Sequence, residues 1–169
     1  MKDAATTVLV AGIGNVFLSD DAFGVEVVRR LGELPEGVRV LDSGIRGMHL
    51  AYELLDGYDT VVLVDAVPRG GAPGTLHTLE HDLDAPAPDG AVLDGHGMDP
   101  ASVLGLLRDL AASMEVVRPV GRVLVVGCEP ACLDEGIGLS PAVAAAVGPA
   151  VRAVTELIDH VRTPEGART

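Results

Sequence analysis

The sequence predicts a layered α/β fold, with helices on both faces of a largely parallel sheet. Three observations carry that prediction. Short apolar runs alternate with segments of helical spacing along the chain. The run from Thr60 to Val67 (TVVLVDAV) shows no polar alternation before Asp65, as expected of a strand covered on both faces. The first apolar run ends abruptly at Gly12 and Gly14, the kind of strand exit that feeds a helix.

Taken in order, Thr7 to Ala11 (TVLVA) is a buried strand. Ser19 reads as an N-cap, with Asp20 and Asp21 in the first turn of a helix reaching Gly32. Phe23, Val27, Val28 and Leu31 form its apolar stripe. Val38 to Leu41 is a second strand, with Asp42 and Gly44 just beyond it, and Met48 to Leu55 a second helix. After the third strand, Pro68 to Gly74 is a turn, and Thr75 to Leu79 a short polar strand suited to an edge. Asp82 to Gly97, rich in Asp, Pro and Gly, is a long loop of the kind that carries function. Pro100 fits the first turn of a third helix reaching Ala112, capped by Asp99. Arg122 to Cys128 is the last strand. Ser140 and Pro141 open a final amphipathic helix to Val161. These elements make one domain over residues 1–162 and a frayed tail over 163–169.

Bulk composition narrows the function. The 169 residues are 48% hydrophobic but only 2% aromatic, without Trp, so Ala, Val and Leu must build the core. A net charge of −13 repels phosphate backbones and anionic lipid, which argues against nucleic acid or a membrane as partner. The apolar run from Val8 to Ile13 is too short for an export signal or a membrane span. Cys128 and Cys132 alone make no disulfide framework, and a cytoplasmic protein is expected.

Several common chemistries find no support. Phe17 stands where a dinucleotide fingerprint needs its third glycine, and no Gly-Lys-Ser/Thr follows, so no nucleotide cofactor is expected. Neither a G-x-S-x-G elbow nor an H-E-x-x-H helix is present. His77 and His81 fall on strand and turn rather than on one helical face, and Cys128 and Cys132 lack redox spacing.

Three residues remain. Asp21 gains from the helix dipole, yet it also stands at the carboxyl edge of the sheet. Asp65, set in an apolar strand, is costly if buried and unpaired, so it either caps a turn or faces a cation. His96 lies between Gly95 and Gly97, which leave its imidazole accessible. Together they would offer two oxygens and one nitrogen, leaving coordination positions open for water or substrate. Imidazole plus carboxylate suits nickel or zinc.

The blocks GIGNVFLSDDAFG (Gly12 to Gly24), LDSGIRGMHL (Leu41 to Leu50), VVLVDAV (Val61 to Val67), the His96 loop, VGCEP and GLSP (Gly138 to Pro141) occur in one order. In these the chain resembles the maturation endopeptidases of [NiFe] hydrogenases, from Val8 to about Ile158. The resemblance implies a three-layer α/β/α sandwich, phosphorylase/hydrolase-like, around a five-stranded mixed sheet with one antiparallel strand. It implies an endopeptidase that removes the C-terminal extension of the hydrogenase large-subunit precursor after nickel insertion. The family's metal-binding carboxylates fall on Asp21, where many members have Glu, and on Asp65; its histidine falls on His96. The nickel would arrive with the substrate, and the resting protein, with three ligands and no thiolate, is expected to hold no tight metal. A monomer is expected. Two other readings compete: a self-contained zinc peptidase or amidohydrolase drawing further ligands from Asp20, Asp42 or Glu129, and a non-catalytic chaperone that senses the nickel site.

Overall fold

The structure is a computed structural model and describes residues 6–45, 47–83 and 100–163. Five strands form one sheet: β1 (Val8–Ile13), β2 (Val38–Gly44), β3 (Tyr58–Ala66), β4 (Leu76–His81) and β5 (Val120–Cys128). Their order across the sheet is β2-β1-β3-β5-β4. All neighbours are parallel except β4, which pairs antiparallel with β5 along one edge. The helices are α1 (Phe23–Arg29), α2 (Gly47–Leu54), α3 (Pro100–Ser113) and α4 (Pro141–Arg162).

The unbroken apolar runs of the central strands follow from their position. Val8, Val10, Val62, Val64 and Val126 point to one face and pack with Phe23 and Val27 of α1 and Val147 and Val154 of α4. Leu9, Ala11, Val61, Leu63 and Val125 point to the other and pack with Leu50 and Leu54 of α2 and Leu104 and Leu107 of α3. Each strand residue therefore loses water on whichever side it faces, and a polar side chain has no favourable place before the strand ends. Edge strand β4 is half exposed and correspondingly polar. Helix α4 is long and apolar enough to cross a membrane by length and composition. Its stripe of Val143, Ala146, Val147, Ala150, Val154 and Ile158 is instead buried on the sheet.

Element order and type follow the sequence reading, while some bounds move. The helix expected from Ser19 to Gly32 is a 3-10 turn (Ser19–Ala22) followed by the short α1. Ser19 is not its N-cap: its φ is 53° and its hydroxyl donates to the Asp134 carbonyl oxygen at 2.8 Å. Ser140 precedes α4 as expected, yet its hydroxyl makes no capping bond. Both departures have one cause. The two serines serve a tertiary junction between the 3-10 turn and the segment after β5, and that junction outcompetes local capping. The long loop after β4 falls mostly outside the described residues, as do Asp99 and the tail beyond Thr163.

Candidate active site

The carboxyl ends of β1 and β3 carry the two candidate acids. Just past β1, Gly14 has a φ of 141°, and a Cβ there would overlap the Asp21 carbonyl oxygen. Only glycine lets the backbone of the 3-10 turn cross so close to the strand exit. Asn15 then donates its N–H to Asp21 Oδ2 at 2.8 Å, which fixes the carboxylate over the end of β1. No hydrogen bond to the other oxygen of Asp21 is found among the described residues.

A second close approach joins this turn to β3. A Cβ on Gly24 would overlap the carbonyl oxygen of Val64, the residue immediately before Asp65. The first turn of α1 thus rests directly on the end of β3, and Asp21 and Asp65 come to the same edge of the sheet. Asp65 is 5% exposed and accepts the Ala66 N–H at Oδ1, 2.8 Å away. Its partner across the sheet is Gly127, whose side is occupied by the Val67 side chain. His96 lies outside the described residues. Pro100, four positions later, borders the same cavity as Asp65.

Asp20 has a different role from its neighbour. It is wholly buried, and its Oδ2 accepts from the N–H groups of Ala131 and Cys132 and from the Ser140 hydroxyl, at 2.8, 3.0 and 2.9 Å. Its Oδ1 accepts from the Ser140 N–H at 2.7 Å, and its own N–H donates to the Cys132 carbonyl at 3.0 Å. Burial pushes this carboxyl up, but the bonds from Ser140, Ala131 and Cys132 outweigh it and hold it below its ordinary value. Sequence reasoning treated Asp20 as a first-turn acid like Asp21. The one signal available was the pair of acids itself, which says nothing about which of them turns inward.

The additional ligands a self-contained zinc site would need are already engaged. Asp20 is held as above. Glu129, 5% exposed, accepts the N–H groups of Arg69 and Gly70 at 2.8 and 3.1 Å. Asp42 pairs with Arg29 at 2.9 Å. No group of three metal-ligating side chains occurs among the described residues, from which His96 is missing. Both cysteines are free. Burial, with the Asp20 and Glu129 carboxylates adding to it, pushes the Cys128 thiol up to about 11. A thiol protonated at neutral pH is a poor nucleophile.

A family model described as hydrogenase maturation protease matches residues 25–157. The chain belongs to the hydrogenase maturation protease family. Among its relatives, the hydrogenase 2 maturation protease of Escherichia coli is 34% identical over 151 residues, covering 87% of each chain. The hydrogenase expression/formation protein HupD of Rhodobacter capsulatus is 38% identical over 158 residues, covering 89% of this chain and 70% of its own. The solved structure of the hydrogenase maturating endopeptidase HybD from E. coli superposes with a TM-score of 0.72 at 29% identity, covering 92% of this chain and 94% of that one. As a member of the maturation protease family, this chain is an endopeptidase on a five-stranded mixed sheet. The match to the family model begins just after Asp21, so the glycine-rich exit and the first acid lie before it.

Proposed function

We propose that this maturation protease removes the C-terminal extension of a [NiFe] hydrogenase large-subunit precursor once nickel is in place, and that Asp21, Asp65 and His96 hold that nickel during the cut. What supports the reading is that the close approach of Gly24 to Val64 brings the turn bearing Asp21 and the strand end bearing Asp65 to the same side of the sheet, in a chain of this family. Carboxylates on neighbouring segments repel one another, and a divalent cation held between them would turn that repulsion into binding. The nickel belongs to the substrate, so the enzyme tests its cargo by the ligands it lacks. When bound, the ion supplies Lewis acidity at the scissile carbonyl. The chain's own part is to hold the precursor in register and to take a proton from the attacking water onto a carboxylate.

The reading places the protein in the cytoplasm, where two unpaired thiols are stable. It is tested by incubating the chain with nickel-loaded and nickel-free precursor and measuring the mass of the large subunit. Shortening is expected only with nickel. Asp21→Asn, Asp65→Asn and His96→Ala are each expected to slow it at least a hundredfold while the circular-dichroism spectrum stays unchanged. Full processing by Asp65→Asn would overturn the site.

A further inference from the structure

Beside Asp65, on the face of the sheet covered by α3, lies a cavity of about 420 Å3. Val67, Pro68, Leu79, Ala101 and Val125 line it together with Asp65 and His81. Glu80 also borders it. Strand parity, however, turns the Glu80 side chain to the opposite face, where it makes a two-pronged pair with Arg122 at 2.8 and 3.2 Å. The walls are therefore mainly aliphatic, with Asp65 as the acid whose strand parity turns it to this face. Leu79 remains 41% exposed, a large apolar side chain on an edge strand that lines this cavity. Apolar surface left in water beside a catalytic group is what an incoming side chain would cover.

The geometry points to a specificity subsite: this cavity receives the aliphatic side chain of the precursor residue that flanks the bond to be cut. The inference rests on the endopeptidase reading above, because it is the placing of a scissile bond at Asp65 that makes the neighbouring cavity a subsite. The volume holds one large side chain and the backbone beside it, and is too small for a folded element. An acidic residue is rejected twice over. Its carboxylate would lose water against aliphatic walls, and it would face Asp65 and a chain of net charge −13.

Two measurements keep the subsite and the enzyme reading apart. Nickel-loaded precursors carrying Leu, Ala or Asp at each residue flanking the cleaved bond are compared for kcat/KM with the wild type and with Ala101→Phe. Ala101 sits partly exposed in the first turn of α3, where the larger ring fills the cavity without entering the core. For one of the two flanking positions the wild type is expected to prefer Leu over Ala at least tenfold, and Ala over Asp by as much again. In Ala101→Phe the Leu-to-Ala preference is expected to shrink to within about threefold. The same ranking in both folded enzymes would overturn the subsite and leave the protease reading intact. Were precursor bound but never cut, the same ranking read from dissociation constants would uphold the subsite, its absence would overturn it, and the protease reading alone would fall.

Discussion

Asp20 and Asp21 are neighbours of the same chemical type, and the fold gives them opposite tasks. Asp21 keeps an oxygen clear of any bond found among the described residues, whereas Asp20 is enclosed by four donated hydrogen bonds. Removing its charge should therefore affect stability before chemistry. Asp20→Asn turns one acceptor into a donor aimed at other donors, and is expected to lower unfolding free energy by about 2–4 kcal/mol in urea titration. Asp21→Asn should leave the urea midpoint within error. The acid response follows the same logic. Because the folded protein holds the Asp20 carboxyl below its ordinary value of 3.8, the stability it adds is fully present above that pH. It is lost as pH falls through the folded value. The wild type should accordingly lose stability between pH 4 and pH 2 more steeply than Asp20→Asn, measured as urea midpoints across that range.

At the level of elements, periodicity was enough to read strands and helices in their order, because a buried parallel sheet writes itself as unbroken apolar runs. The turns between them were harder. Ser19 looks like a cap and is not one, and Ser140 stands at the N-cap position of α4 without a side-chain capping bond, since contacts more than 110 residues away in sequence claim both hydroxyls. The glycines were legible as turns but not as spacers. Gly24 lies inside α1, where alanine would ordinarily favour the helix by about 1 kcal/mol. Here a methyl would strike the Val64 carbonyl and lift α1 from β3. Gly24→Ala is expected to lower the melting temperature despite its helix propensity, and to reduce precursor cleavage further than the stability loss explains. A raised melting temperature would show that the close approach does not constrain the helix.

Across the whole molecule, the sheet rule points to the carboxyl ends of the strands, and Asp65 stands near the end of β3 while Asp21 sits on the turn after β1. The sequence could not say that Asp20 would turn inward, that Glu129 would bind the Arg69–Gly70 turn, or that Asp42 would pair with Arg29. Each of these depends on segments far apart in the chain that the fold brings together. The core itself is ordinary in its demands. Leu63, fully buried between β1 and β5, should cost about 2–5 kcal/mol when cut to Ala, measured by urea unfolding, with no change in which precursors are processed.

The partners of Asp20 come 111 to 120 residues after it. During synthesis the amino-terminal acids therefore emerge long before anything can hold them in place. A nascent or proteolysed fragment ending short of Ala131 carries Asp21 and Asp65, yet lacks every donor that holds Asp20 and with it the turn bearing Asp21. The turn that carries Asp21 thus gains its full set of fixing bonds only once the chain through Ser140 has been made.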